Sequence, residues 1–266
     1  MDLRALEHND IHSIVDLQPP GWQEFIPNIE FYTSSDFCFP IKVTINNKII
    51  GIGTSILHHN IAWLAAIIVH PDYRNRGIGK LITQSLIDSL QAKGCETIYL
   101  IATDLGEPVY NKLGFETETE YLCFKDIQLT NSWKRSENIV AYSNGFKMQV
   151  ATIDRAVTGE KRMNHLESHL THGYLYVENN LVEGFYLPTF GEGFIAAKTS
   201  SAGIELMKVR LSANKIAIFP IDNSGANEFM HQNNFKEYKA IKRMRLGKKR
   251  AWQPKNIYNR IGGNLG

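Results

Sequence analysis

The sequence predicts an α/β fold built from two domains, and three observations support this prediction. At 266 residues the chain is long for one compact α/β unit and comfortable for two, each with its own core. Segments typical of strands alternate with amphipathic helical segments in both halves. The halves also end alike, because residues 104–115 and residues 222–235 both run from an acidic turn through a short helix to a Phe. This weak internal repeat predicts two copies of one fold.

The composition is that of an ordinary soluble globular protein, with 43% hydrophobic and 21% charged residues. Lys and Arg (29) nearly balance Asp and Glu (27), so no global basic field favours nucleic acid as a partner. No stretch approaches the ~20 apolar residues of a membrane helix, and the N-terminus does not resemble a signal peptide. Cys38, Cys95 and Cys123 lack CxxC spacing, which suits a reducing cytosol. We therefore expect a cytoplasmic protein without nucleic-acid or membrane partners.

In the first half, we expect a series of strands and then a central helix. Asn9 and Asp10 are predicted to cap an early helix, and residues 22–35 to form a loop and a broken helix. Residues 61–69 are continuously apolar and rich in β-branched side chains, which is typical of a strand buried on both faces. The other predicted elements are strands at 2–6, 37–45, 49–57 and 97–102, a helix from 78 to Gly94, a short helix at 107–113 and a strand pair within 115–124.

In the second half, the alternation starts again after a segment without periodicity. Residues 126–145 gather Asn, Ser, Lys and Gly, which is typical of a linker. A hairpin is predicted around Asn179 and Asn180. The other predicted elements are strands at 148–151, 174–177, 181–187, 215–220 and 237–245, and helices at 158–170, about 204–211 and 226–232.

The loop between the most buried predicted strand and the central helix carries the strongest functional pattern. Its residues 74–79 read Arg-x-x-Gly-x-Gly. Glycines let the backbone approach a ligand closely, and the free N–H groups at a helix N-terminus attract an anion together with the helix dipole. Arg74, Arg76 and Lys80 add positive charge. The loop is therefore predicted to bind a pyrophosphate.

Other interpretations of this loop fit less well. A Gly-rich turn that only caps a helix is the structural alternative, but the strand before and the helix after supply the context of a phosphate loop. The segment is not a dinucleotide fingerprint, because its strand comes fourth in the domain and no acid occupies the ribose-binding position. It also lacks the Gly-Lys-Ser/Thr of nucleotide triphosphatases.

Two motifs resemble a known family. Residues 69–81, Val-His-Pro-Asp-Tyr-Arg-Asn-Arg-Gly-Ile-Gly-Lys-Leu, resemble motif A of the GNAT acetyltransferase superfamily, and residues 110–115, Tyr-Asn-Lys-Leu-Gly-Phe, resemble its motif B. The resemblance covers about residues 2–125 and implies that acetyl-CoA lies in a V-shaped gap between the fourth and fifth strands. It implies a cofactor site in which the backbone of Ile67, Ile68 and Val69 pairs with the pantetheine arm and Asn75, Arg76, Gly77, Ile78, Gly79 and Lys80 hold the pyrophosphate, with Arg74 adding charge.

Tyr110 is the predicted catalytic acid. The resemblance implies that the N–H of Val69 stabilises the oxyanion and that the Tyr110 hydroxyl protonates the departing CoA thiolate. A packing role for the Tyr110 ring is the alternative. The general base is left open, because strand 61–69 lacks the Glu that many relatives carry and the candidates are Asp104, Glu107, His58 and His59.

Residues 147–246 resemble, more loosely, a divergent GNAT-like domain that follows the catalytic domain in a tandem subgroup of the family. The predicted architecture is thus two GNAT-like domains, each a mixed, mostly antiparallel sheet flanked by helices, with a splayed parallel strand pair. We place the catalytic domain at 1–125, a linker at 126–145, the divergent domain at 146–246 and a basic C-terminal tail at 247–266.

The second domain is expected to bind no CoA and either to shape the acceptor pocket or only to stabilise or dimerise the first. Residues 188–193, the nearest counterpart of the Arg74 loop, carry Pro188 and Glu192 where a pyrophosphate would lie. An overlay of Phe235 on Phe115 puts Met230, which cannot donate a proton, at the position of Tyr110.

Two further clusters are predicted to be structural. His165, His169 and His172 share a helical face, but they span ~10.5 Å and cannot converge on one zinc ion, so we expect no metal. The basic residues 242–250 lack interleaved aromatic residues, so we expect a solvated face or contacts with acidic groups rather than a nucleic-acid site.

The sequence therefore predicts an N-acetyltransferase that moves an acetyl group from acetyl-CoA to a primary amine by direct attack in a ternary complex. The acceptor, a small molecule or a peptide, is left open, and so is assembly as a homodimer. The alternative is a non-catalytic acyl-CoA-binding regulatory module, which the missing strand-four Glu favours and Tyr110 opposes.

Overall fold

A computed structural model describes residues 1–22, 24–129 and 133–266. By their contacts, the residues divide into two compact units. The first comprises Met1–Glu116 and Met244–Lys249, and the second comprises Thr117–Arg243 and Arg250–Gly266. Gln23, in the predicted loop, and residues 130–132, in the predicted linker, lie outside the described residues. Each unit combines helices with β-sheet, which confirms the predicted α/β class.

The first unit contains a mixed sheet with one parallel strand pair. Its strands lie side by side in chain order: β1 (Asp2–Ala5), β2 (Cys38–Ile45), β3 (Lys48–His58), β4 (Ile61–Val69) and β5 (Thr97–Ala102). β1 to β4 pair antiparallel, whereas β4 and β5 run parallel, as predicted. The helices are α1 (Ile26–Ser34), α2 (Ile78–Ala92) and α3 (Glu107–Lys112). The last residues of the strand β12, Met244–Gly247, lie next to β5.

The early helix of the first unit differs from the prediction. His8–Ser13 and Val15–Leu17 form 3-10 turns instead of an α-helix capped by Asn9 and Asp10. The Asp10 carboxylate accepts the N–H of Glu7 at 2.8 Å and pairs with Lys42. Asp10 therefore stabilises the start of the 3-10 turn that contains it and does not cap a following helix.

Two glycines of β3 bring α2 close to the sheet. A Cβ at Gly51 would lie 2.9 Å from Cδ1 of Ile82, and one at Gly53 would overlap the same side chain. Ile82 and Leu86 are fully buried in this contact. The packing fixes the first turn of α2 beside the carboxyl end of β4.

In its described residues, the second unit contains strands of two sheets and four α-helices. One sheet has the order β13-β10-β9-β8-β7, and in the other β6 lies between β12 and β11. The strands are β6 (Glu116–Phe124), β7 (Ile139–Ala141), β8 (Tyr174–Glu178), β9 (Leu181–Leu187), β10 (Phe194–Ala197), β11 (Ala217–Pro220), β12 (Glu237–Gly247) and β13 (Ile257–Asn259). The helices are α4 (Lys147–Thr158), α5 (Met163–Leu170), α6 (Ser200–Ala213) and α7 (Ser224–Gln232).

The second unit also departs from the prediction at its start. Residues 148–151, expected as a strand, lie in α4, because Val150, Ile153 and Val157 follow a helical spacing and are buried. Gly159 ends α4 with φ +73° and donates its N–H to Arg155 O at 2.9 Å, so the predicted helix 158–170 begins only at Met163. The predicted strand pair within 115–124 is the single strand β6.

Candidate active site

The parallel strands β4 and β5 separate toward their carboxyl ends. Within the described chain they are paired only where Ile61–Trp63 lies beside Thr97–Tyr99. Farther along β4, the register with β3 shifts between Ile52 and Thr54, and Ala66 has φ +49°. Such a bulge bends a strand and disrupts its ladder. The sheet therefore opens into a gap beside residues 67–69.

The backbone N–H of Val69 points into this gap. His70 N–H donates to Ile50 O at 2.9 Å, so His70 and Ile50 form a hydrogen-bonded pair of the β3–β4 ladder. Such pairs alternate with pairs whose N–H and C=O groups point away from each other. Val69, opposite Gly51, therefore directs both groups toward the β5 side. Its C=O accepts Nε of Arg74 at 3.1 Å, which leaves the N–H facing the gap.

The loop after β4 leads into the N-terminus of α2, which no side chain of the described residues caps. Gly77 is the N-cap residue with φ +80°, and the first intrahelical bond joins Leu81 N–H to Gly77 O at 2.9 Å. The N–H groups of Ile78, Gly79 and Lys80 precede that bond and have no acceptor within the helix. Apart from the adjoining backbone and its two neighbours in the chain, no described residue has an atom within 4 Å of the position of a Cβ on Gly77. This open, positively polarised turn is suited to an anion.

The charged side chains of the loop are exposed. Arg76 lies over the Tyr73 ring at 5.3 Å, and Arg74 is held by its bond to Val69 O. Lys80 is exposed in the first turn of α2. The predicted pyrophosphate residues thus come together around one helix end, whereas the side chain of Ile68 is buried in the core and contributes only its backbone.

Tyr110 lies on α3 and is 7% exposed. Its ring contacts Phe115, with ring centroids 5.9 Å apart, and a Cβ at Gly106 would lie 3.0 Å from its hydroxyl oxygen. Within the described part of the chain the hydroxyl has no hydrogen-bond partner. Burial raises the pKa of Tyr110 to about 12, so the phenol is un-ionised at neutral pH. The side chain therefore has both a packing contact and a hydroxyl that is available to donate.

The four candidate bases fall at two places. His58 is buried beside Phe37, and His59 occupies the β3–β4 turn, so both lie about 26 Å along β4 from Val69. Asp104 is exposed and Glu107 is partly buried, and both lie in the connection that leads into the helix of Tyr110. This geometry favours Asp104 and Glu107 over the histidines.

The other two clusters have structural contacts. His165 and His169 pack against the Phe190 ring, at 5.1 and 4.8 Å between centroids, and no group of three or more metal-ligating side chains occurs among the described residues. In the basic segment, Arg243 pairs with Glu118 at 2.9 Å and Arg245 with Glu116 at 2.8 Å. The expected contacts with acidic groups are therefore present. In residues 1–22, 24–129 and 133–266, no helix has the length and apolar character needed to cross a membrane.

Comparison with known proteins finds similar sequences and similar structures. Residues 8–115 match the acetyltransferase (GNAT) family. An acetyltransferase of Pectobacterium atrosepticum is 29% identical over 128 residues, which cover 44% of this chain and 89% of that protein. A putative acetyltransferase from Pyrococcus horikoshii has a similar structure, with a TM-score of 0.84 and 22% identity over 100% of this chain and 95% of that one. A tandem GNAT protein from the clavulanic acid biosynthesis pathway has a TM-score of 0.65 and 11% identity, over 94% and 99% of the two chains.

The family match and the similarity to acetyltransferases identify an N-acetyltransferase. Residues 8–115 thus form a domain of the acetyltransferase (GNAT) family. The likeness to a tandem GNAT protein over nearly the whole chain confirms two GNAT-like domains.

Proposed function

We propose that the protein transfers the acetyl group of acetyl-CoA to a primary amine by direct attack in a ternary complex, in its first unit. One observation carries this proposal: the Val69 N–H faces the gap between β4 and β5 at the same end of β4 where the uncapped N-terminus of α2 begins. A thioester and a pyrophosphate both belong to acetyl-CoA, and this arrangement offers a donor for each.

The residues present fit that substrate. The pyrophosphate would accept the N–H groups of Ile78, Gly79 and Lys80, in the open space above Gly77. The pantetheine arm would pair with the backbone of residues 67–69, where β5 has separated from β4.

The chemistry requires an oxyanion donor and a balanced proton transfer. The neutral amine attacks the thioester carbonyl carbon, and the Val69 N–H donates to the carbonyl oxygen as negative charge develops there. The carbon–sulfur bond then breaks. The amine nitrogen loses one proton and the thiolate gains one, so the reaction needs no further proton. The products are an amide and the free CoA thiol.

Tyr110 is proposed to stabilise the leaving sulfur. Its pKa of about 12 exceeds that of a thiol, ~8.5, so complete transfer of the phenolic proton to the thiolate is uphill. The phenol therefore acts chiefly as a hydrogen-bond donor to sulfur, while the amine supplies the net proton through Asp104, Glu107 or water.

The proposed acceptor is a small-molecule or peptide amine in the cytoplasm, and the proposal includes no metal ion, nucleic acid or membrane. The test is CoA thiol release by the full chain from acetyl-CoA with a panel of small amines, amino acids and peptides. Amine-dependent release supports the enzyme, and intersecting initial-velocity lines support the ternary complex. Tight binding of acetyl-CoA without release for any amine supports the non-catalytic binding module instead.

A further inference from the structure

The second unit repeats the element order of the first unit's site. β10, α6, β11 and α7 follow one another as β4, α2, β5 and α3 do. The short helices agree in detail, because Phe115 N–H donates to Tyr110 O at 3.1 Å and Phe235 N–H donates to Met230 O at 3.0 Å. The counterpart of the gap between β4 and β5 is therefore the space between β10 and β11.

The chain's own segment 257–260 lies in that space. On one side β13 pairs antiparallel with β10, with Ile195 opposite Asn259. On the other side, Ile218 of β11 donates its N–H to Oδ1 of Asn259 at 3.0 Å and accepts the N–H of Arg260 at 2.8 Å. The segment thus forms hydrogen bonds with both strands, as a pantetheine arm would in the first unit.

Side chains anchor the segment at the helix ends. Tyr258 is 3% exposed, and its ring lies so close to Gly203 in the first turn of α6 that a Cβ there would overlap it. Asn223 donates to Ile257 O at 2.9 Å and caps α7 by accepting the N–H of Ala226 at 2.9 Å. Unlike α2, α6 has a side-chain cap, from Thr199.

Glu192 has a different role from the one that its sequence position suggested. The loop 188–193 lies between β9 and β10, one strand earlier than the counterpart of the Arg74 loop. The Glu192 carboxylate forms a two-point ion pair with Arg260, at 2.8 and 2.7 Å. Glu192 therefore anchors the segment instead of repelling a pyrophosphate.

We propose that the space between β10 and β11 is a peptide-strand site whose ligand is the chain's own segment 257–260, so that the second unit takes no acyl-CoA. The comparison with the first unit rests on the proposed function, whereas the position of segment 257–260 between β10 and β11 does not.

A double-mutant cycle tests the position of segment 257–260 without any cofactor. Gly203→Ala alone should lower Tm, because the added methyl displaces the Tyr258 ring. In a Tyr258→Ala background the same change should raise Tm by about 2–4 °C, since alanine is the better helix former. An increase in both backgrounds would overturn the proposal.

A milder variant covers the case in which the cycle variants fail to fold. Asn259→Ala removes the acceptor of the Ile218 N–H, so exchange of that amide should accelerate selectively. Unchanged exchange would contradict the assigned contact.

Calorimetric titration of the full chain with acetyl-CoA tests the consequence. We expect one molecule per chain. Two molecules per chain would overturn the inference while leaving the first unit's activity intact, so the two failures are distinguishable.

Discussion

Gly77→Asp is the most informative perturbation of the proposed cofactor site. Gly77 has φ +80°, and apart from the adjoining backbone and its chain neighbours no described residue lies within 4 Å of the position of its Cβ, so a side chain there enters open space. The carboxylate would stand at the first turn of α2, where we place the pyrophosphate. Two like charges ~4 Å apart repel by about 4 kcal/mol at a protein surface, so Kd for acetyl-CoA should rise ~10³-fold.

Gly94→Asp provides a matched control at the other end of the same helix. Gly94 follows α2 with φ +78°, and its Cβ position is also open with respect to the described atoms. Both substitutions carry the backbone strain of a left-handed residue, about 1–2 kcal/mol. The helix dipole favours an acid at position 77 and disfavours it at 94, so Gly94→Asp should be the less stable variant. It should nevertheless bind acetyl-CoA like the wild type.

Isothermal titration calorimetry of both variants decides the matter. Loss of affinity in Gly77→Asp with retention in Gly94→Asp is the expected result. A Kd for Gly77→Asp within tenfold of the wild-type value would refute the assignment of the pyrophosphate to α2.

Three further predictions concern side chains of both units. Tyr110→Phe should leave acetyl-CoA affinity unchanged while turnover falls ~10²–10³-fold in a steady-state assay, as for the loss of one hydrogen-bond donor to the leaving sulfur, and wild-type turnover would return Tyr110 to a packing role. Because burial raises the pKa of Tyr110 to about 12, its contribution to stability is complete below pH ~10 and is lost between pH ~10 and 12. In denaturant titrations across that window, the wild type should lose more stability than Tyr110→Phe. Equal losses would contradict the raised pKa. Asp154→Asn removes the charge of the buried partner of Arg162, 2.8 Å away, and should lower the free energy of unfolding by about 3–5 kcal/mol in denaturant titrations. Glu167→Gln, in an exposed ion pair, should leave stability unchanged. Similar effects of the two substitutions would show that burial of the ion pair does not matter.

The elements that the sequence predicted well are those whose burial is visible locally. Ile61–Val69 and Thr97–Ala102 have the predicted bounds, because short apolar runs rich in β-branched residues are typical of buried strands. Short strands were missed, since β10 and β13 contain four and three residues and pair across about sixty positions of the chain. Missing β10 also displaced the expected counterpart of the phosphate loop by one strand.

The candidate site was likewise predictable only in part. Its residue types and their spacing were visible in the sequence, and the open first turn of α2 agrees with them. The direction of the Val69 N–H was not, because it depends on the register between β3 and β4 and on the bulge near Ala66. Gly51 and Gly53 were not singled out either, since their role depends on how closely α2 approaches the sheet. The assignment of each residue to acetyl-CoA stays a prediction.

Amide spectra of the nitrogen-labelled full chain, recorded during titration with acetyl-CoA, test the central claim most directly. The proposed site predicts saturable shifts at the amides of Val69, Ile78, Gly79 and Lys80, with no change at Ala202 in the first turn of α6. Saturable binding that leaves the first four amides unperturbed would contradict it.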